Sequence, residues 1–144
     1  MSVLKSKQSM SDLQFYDTAY KIRIAVTKFA MNEKYVPKRW RPVVGFKLIE
    51  YGEQLMEHVV TANEIRLDTP DELKGRQHHQ KKAKIAIHLI LDHLAFMIEL
   101  LEFSPDTLQE VIAMCDKELS LISGWMRSDK DRYKKLHSEQ GETK

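Results

Sequence analysis

Apolar residues recur every three or four positions along four stretches of the chain, the pattern of helices that bury one face. The first stretch predicts a helix from about Asp12 to Ala30, with Asp12 as its N-cap. The second predicts a helix from near Pro42 to about Ile65, because proline suits the first turn of a helix. Both helices are amphipathic and therefore need a partner to cover their apolar side.

The third and fourth helices follow a polar connection in which Pro70 is expected to open a short turn. The third helix is predicted from about Arg76 to Phe103 and is apolar on nearly every side beyond Ala83. Such a helix is either central or covered by another subunit. Ser104-Pro105-Asp106 predicts the start of the fourth helix, which is expected to end around residues 124–128.

Four amphipathic segments with short connections predict an all-α protein, an antiparallel up-down four-helix bundle. The chain of 144 residues fits one domain. The expected organisation is a flexible N-terminus over residues 1–11, the bundle over residues 12–128, and a charged, disordered tail over residues 129–144.

The cellular setting is predicted from cysteine and hydropathy. Cys115 is the single cysteine, so no internal disulfide can form and a reducing cytoplasm is the expected compartment. The N-terminus lacks the apolar core of a signal peptide. The longest apolar run, residues 85–101, is interrupted by charged and histidine side chains, which favours a buried bundle helix over a membrane span.

A first basic cluster (Lys38, Arg39, Arg41 and Lys47) lies in a segment that contains no acidic residue but does contain Tyr35, Trp40 and Phe46. Cations interleaved with aromatic rings can bind phosphates and stack on bases. The alternative is a solvated loop that opens a helix, with Trp40 and Phe46 turned into the core. The formal net charge is only +2, so the positive charge is concentrated locally.

A second basic cluster comprises Lys74, Arg76, Lys81, Lys82 and Lys84, again without an intervening acid. In an antiparallel bundle the second and third helices start at opposite ends, so the two clusters need not form one patch on a protomer. The alternative is that lysines at a helix end serve only solvation.

No motif in the sequence predicts catalysis, a cofactor or a metal. His88 and Asp92 lie four residues apart on one helix face, but the paired Glu-x-x-His elements of two-metal bundles are missing. Phosphate-binding glycine loops, zinc spacings and nucleophile motifs are missing as well. Cys115 is expected to be a small buried side chain, and Trp125 to anchor the fourth helix beside Gly124, which would permit a close helix approach.

Several short motifs together resemble a known family. Tyr35, Pro37 and Arg39 form a Phe/Tyr-x-Pro-Arg-like entry, and the second helix contains Gly45 and the pair Ala62-Asn63. The fourth helix closes with Leu-Ile-Ser-Gly-Trp-Met-Arg-Ser over residues 121–128. Over residues 12–128 this resembles the accessory variability determinant proteins of diversity-generating retroelements. These belong to a wider four-helix group with proteins encoded by ribosomal RNA intervening sequences.

The resemblance implies a non-enzymatic partner of a reverse transcriptase. Members of the family form a homopentameric barrel with a positively charged surface and bind both the polymerase and the template-repeat RNA, which supports mutagenic cDNA synthesis. In this chain the two basic clusters would make those contacts. Two alternatives stay open: an RNA- or ribosome-associated protein of the intervening-sequence kind, and an oligomeric adaptor that binds only protein.

Overall fold

The computed structural model describes residues 13–142, with side chains through residue 138, and this part of the chain is helical with no strand. The four helices are α1 (Gln14–Ala30), α2 (Phe46–Glu64), α3 (Pro70–Leu101) and α4 (Gln109–Glu142). The predicted all-α class and the number of helices are thus confirmed. The expected flexible N-terminus and the cap at Asp12 lie outside the described residues.

The four helices share one core. Helix α1 packs against α2 and α4, and α3 packs against the same two helices. Burying one large aliphatic side chain stabilises the folded state by about 1.5–3 kcal/mol. Because every helix contributes such side chains to the core, the core holds all four helices together. The largest apolar side chains that are fully buried are Ile22, Leu48, Leu55, Ile87, Ile90, Leu94, Met97, Leu108 and Ile122.

Helix α3 begins at Pro70 and not near Arg76 as predicted. Thr69 caps it: its hydroxyl accepts from the Glu72 N–H at 3.1 Å, and the Glu72 carboxylate accepts from the Thr69 N–H at 3.0 Å. This reciprocal pair satisfies two of the donors that a helix start leaves open. With Pro70 in the first turn, the expected short turn and the third helix become one continuous element.

Two glycines, and not Gly124, permit the closest approaches between segments. A Cβ on Gly52 would lie 2.8 Å from Cγ2 of Val26, so Gly52 lets α2 pack tightly on α1. A Cβ on Gly45 would lie 3.2 Å from the backbone oxygen of Ala30. At Gly124 it would meet only Arg127 of the same helix, at 3.9 Å. The predicted role of Gly124 in a close helix approach is therefore wrong.

Helix α4 continues well past residue 128, into the segment predicted to be a disordered tail. Asp129 is fully buried, and the rings of Tyr133 and His137 lie 4.0 Å apart on successive turns. The prediction relied on charge density and overlooked that this segment is nearly free of helix-breaking residues. Arg76, a buried residue of α3, pairs with Asp129 and so fixes the first turn of α4 beyond residue 128.

Candidate nucleic-acid interface

The connection between α1 and α2 carries the first basic cluster and is held in place by aromatic rings. The Tyr35 ring lies 5.6 Å from that of Phe29 and 5.8 Å from that of Phe103, and Trp40 is half-buried against the core. A 3₁₀ turn (Lys38–Trp40) and a π turn (Arg41–Gly45) then lead into α2. The alternative interpretation of the sequence placed both Trp40 and Phe46 in the core. Phe46 is 53% exposed, so this holds only for Trp40.

Lys38 and Arg39 project into solvent from the 3₁₀ turn. The Arg39 guanidinium lies 6.0 Å from the centre of the Trp40 ring, close enough for a weak cation–π contact. Lys47 is also exposed, but its ammonium pairs with Glu50 at 3.3 Å. Exposed pairs of this kind contribute little, so Lys47 can exchange its carboxylate for another anion at small cost.

Arg41 is a structural residue within the first basic cluster. Its side chain is only 13% exposed, and Nη2 donates to the Met31 carbonyl oxygen at 3.2 Å and lies 3.5 Å from a Glu33 carboxylate oxygen. The Arg41 guanidinium therefore ties the connection to the end of α1. The Arg41 guanidinium is therefore largely covered, whereas the side chains of Lys38 and Arg39 are exposed to solvent.

In the second basic cluster, Lys74, Lys81 and Lys82 are exposed on the first half of α3. Among the described side chains, none of these three ammonium groups lies within 4 Å of a carboxylate. Lys84 is half-buried and donates to the Ser123 hydroxyl on α4 at 3.0 Å. Three cations of this cluster are thus available to a polyanion.

Arg76 does not belong to the surface, contrary to its place in the predicted cluster. It is buried, and its Nε and Nη2 donate to the two carboxylate oxygens of Asp129 at 2.9 and 2.8 Å. Nη1 donates to the Ile65 carbonyl oxygen at 2.7 Å, and the guanidinium lies 5.6 Å from the Trp125 ring centre. The Arg76 charge is therefore paired inside the bundle, where its side chain connects α3 to the end of α2 and to α4.

Trp125 is buried as predicted, and its ring stacks on Phe15 with centroids 3.8 Å apart. The sequence analysis did not predict the buried polar network next to Trp125. In this network the Asp129 carboxylate accepts hydrogen bonds from Arg76 and also from Gln80 Nε2, the latter at 2.8 Å. Arg76 and Gln80 lie four residues apart on one face of α3. That spacing was the available signal for a polar network.

Glu118 is a second buried polar group that the sequence analysis missed. It is fully buried on α4, and neither carboxylate oxygen has a hydrogen-bond partner among the described residues. Burial, with a smaller contribution from Asp17, raises the pKa of Glu118 to about 9, so this carboxyl is protonated at neutral pH. Glu118 continues the buried stripe of Val111, Cys115, Ile122 and Trp125 at spacings of three and four, which could have revealed it.

The two basic clusters lie at different levels along the bundle. Near the end of α3, His93 Nε2 donates to the Val44 carbonyl oxygen at 2.7 Å, beside the first cluster. The second cluster lies at the start of α3. Eleven residues of α-helix between Lys82, the exposed cation of the second cluster nearest to His93 along α3, and His93 correspond to about 16 Å. The clusters are therefore two separate patches.

Cys115, His88 and Asp92 were the other side chains considered for catalysis or metal binding. Burial, with the nearby Asp116 and Glu118 carboxyls, raises the pKa of the Cys115 thiol to about 12, which disfavours a nucleophilic thiolate. His88 and Asp92 are both exposed on α3. Across residues 13–142, no group of three or more His, Cys, Asp or Glu side chains is arranged to hold a metal ion.

Comparison with protein-family models, with curated proteins and with solved structures gave no match. The geometry of the chain itself therefore carries the functional argument. Within the described part of the chain, none of the helices has the length and apolar character needed to cross a bilayer.

Proposed function

We propose that this chain is a non-enzymatic accessory subunit of a diversity-generating retroelement, which binds the reverse transcriptase and the template-repeat RNA. One observation carries the proposal: two separate patches of exposed cations, Lys38 with Arg39 and Lys74 with Lys81 and Lys82, on one all-helical protomer. Two patches allow one surface for RNA and another for a protein partner. The family resemblance supplies the identity of both partners.

The proposed RNA contacts include fewer residues than the two basic clusters predicted from the sequence. Arg76 is excluded because its guanidinium is buried and paired, and Arg41 contributes mainly to the fold. Lys38, Arg39 and Lys47 remain at one patch. Lys74, Lys81 and Lys82 remain at the other. Each phosphate contact releases condensed counterions, so binding should weaken steeply as salt is raised.

We also propose that the helices run up-down and antiparallel and that protomers assemble into a pentameric ring. The contacts of Lys84 with Ser123 and of Gln80 with Asp129 support antiparallel packing of α3 and α4. Exposed apolar side chains support assembly: Ile85, Phe96 and Leu100 on α3, Ile24 within α1, and Met31 just beyond the end of α1. A ring repeats each cationic patch, so a chain of net charge +2 could still hold a polyanion.

Charge reversal tests the RNA role. The Lys38→Glu/Arg39→Glu and Lys81→Glu/Lys82→Glu variants each change the net charge as much as a control, Lys21→Glu/Lys117→Glu, whose lysines are exposed on α1 and α4. We expect at least one cluster variant to lose about tenfold or more in affinity for template-repeat RNA at physiological salt. The control should bind like the parent, and helicity should be unchanged in all three.

The same variants assign the second partner. The cluster whose reversal spares RNA binding is expected to be needed for capture of the reverse transcriptase encoded beside this chain. Parental RNA binding by both cluster variants would refute the nucleic-acid role and leave a protein-only adaptor. A genome without a neighbouring reverse transcriptase, together with binding to ribosomal RNA, would instead favour the intervening-sequence kind of protein.

A further inference from the structure

A pocket of about 480 Å³ opens between α1, α2 and α3. It lies beside the second cation patch, whose Lys82 is among the charges that act on it. His58 on α2 and His79 on α3 form its inner wall, with their Nδ1 atoms 3.0 Å apart. Arg23 on α1 and Thr61 on α2 also line it. Each helix thus contributes at least one polar side chain to one cavity.

The contact between His58 and His79 constrains where protons can be. Two nitrogens at 3.0 Å form a hydrogen bond only if one carries the proton and the other accepts it. Both rings can be neutral, or one can be charged, but two imidazolium rings would direct two N–H groups at each other. A second proton therefore has to separate the rings or be compensated by an anion.

The charged groups around the pair are mostly positive. Arg23 faces it from α1, and His78 and Lys82 face it from α3, while Glu57 on α2 supplies the nearby carboxylate. Burial, followed by the charges of His79, Lys82 and His78, lowers the pKa of His58, whereas Glu57 opposes this shift. Two permanently charged cations, Arg23 and Lys82, thus face a single carboxylate, that of Glu57, so a bound cation would add to the excess positive charge and a bound anion would offset it.

This electrostatic balance decides between two ligand classes. Facing imidazole nitrogens suit a transition-metal ion, but a divalent cation would meet Arg23 and Lys82 and would find only two protein ligands. An anion would meet the Arg23 guanidinium, the Thr61 hydroxyl and two imidazole rings, with the Glu57 carboxylate as the opposing charge in the lining. We propose that Arg23, Thr61, His58 and His79 form a binding site for a phosphate group, and that the histidine pair takes up a proton when the anion binds.

Proton uptake makes the affinity depend on pH with a defined sign. The anion stabilises the protonated pair, so binding strengthens as pH falls toward and below the ordinary range of histidine titration. If one proton is taken up per anion, affinity changes by up to about tenfold per pH unit. The phosphate group could be a free anion or a phosphodiester of RNA, and these two sources share the same site chemistry.

Histidine side-chain NMR on the full chain tests the site. Sulfate is the first probe because it keeps its charge between pH 6 and 8, so any pH dependence belongs to the protein. We expect saturable shifts of the His58 and His79 signals, with affinity at least about tenfold higher at pH 6 than at pH 8. Arg23→Gln should weaken sulfate binding about tenfold, and Lys21→Gln on the same helix should not.

Inorganic phosphate and a short RNA oligonucleotide are then added in separate arms. Shifts of the same two rings by RNA identify a phosphodiester, and shifts by phosphate alone identify a free anion. The site is refuted if sulfate gives no saturable shift, if Lys21→Gln weakens binding as much as Arg23→Gln, or if Zn²⁺ but not sulfate saturates the pair. None of these results bears on the RNA contacts of Lys38 and Arg39, which the charge reversals test separately.

Discussion

Glu118 shows how much one side chain in the core can govern the response of the molecule to pH. Its carboxyl is fully buried without a hydrogen-bond partner among the described residues, and its pKa is raised to about 9. In the unfolded chain it titrates near 4.5. Between these values the folded state holds a proton that the unfolded state has released. Folding stability from this group is therefore complete below pH 4.5 and declines as pH rises toward 9.

Replacing Glu118 by glutamine should remove this pH dependence. The amide does not ionise, so Glu118→Gln should exceed the parent in stability by about 3 kcal/mol at pH 7, less the cost of burying an unpaired amide. Urea unfolding at pH 5, 7 and 8.5 measures the difference. Glu110→Gln, at an exposed position of the same helix, is the matched control. Parallel pH profiles for Glu118→Gln and the parent would contradict a neutral buried carboxyl.

At the scale of single elements, the first turn of α4 beyond residue 128 is fixed by a buried ion pair. Asp129 accepts two hydrogen bonds from Arg76 and a third from Gln80, and the pair sits beside the stacked rings of Trp125 and Phe15. Removing one member of such a pair leaves an unsatisfied charge in the core, whereas replacing both by apolar groups is often close to neutral. Substitutions in this network therefore test whether the part of α4 beyond residue 128 packs against the rest of the protein.

Asp129→Ala should destabilise the protein by about 3–5 kcal/mol because Arg76 would keep its charge without a partner. The double variant Arg76→Met/Asp129→Leu should recover most of that loss. Denaturant unfolding of both variants, with exposed Asp131→Ala as the control, measures the effect. If Asp129→Ala costs no more than Asp131→Ala, residues 129–142 do not pack as part of α4.

The elements could be predicted from sequence where periodicity and caps agreed, as they do for α1, α2 and the apolar half of α3. The end of α4 could not, because charge density was used where helix propensity and one buried aspartate decide the outcome. Arg76 was assigned to a surface cluster for the same reason. A run of cations does not reveal that one of them faces a carboxylate more than fifty positions along the chain.

The candidate site was predictable only in part. Lys38, Arg39, Lys74, Lys81 and Lys82 are exposed, as a solvated or ligand-binding face requires. The pairing of His58 with His79 had no local signature, because it depends on the register between α2 and α3. Side-chain contacts across helices are set by packing, and a single sequence records packing only through the apolar stripe.

At the scale of the whole molecule, α1 and α3 both leave large apolar side chains exposed. Phe96 is 51% and Ile85 50% exposed on α3, and Ile24 is 39% exposed on α1. Each of these helices packs mainly against α2 and α4, so the two apolar faces belong to helices that do not cover one another. Contact between the α1 face of one protomer and the α3 face of the next would be heterologous, the kind of interface that closes into rings.

A ring built this way can be dissected by disabling one face at a time. The parent chain should scatter light as an assembly, for which the family resemblance implies a pentamer, and a monodisperse species near the chain mass of 16.9 kDa would refute assembly. Ile24→Glu and Phe96→Glu should each open the ring, because a carboxylate would have to be buried at every joint. When the two variants are mixed, the intact α3 face of one meets the intact α1 face of the other. Mixing should therefore produce heterodimers that neither variant forms alone, whereas a self-complementary interface would leave the mixture monomeric or pair like with like.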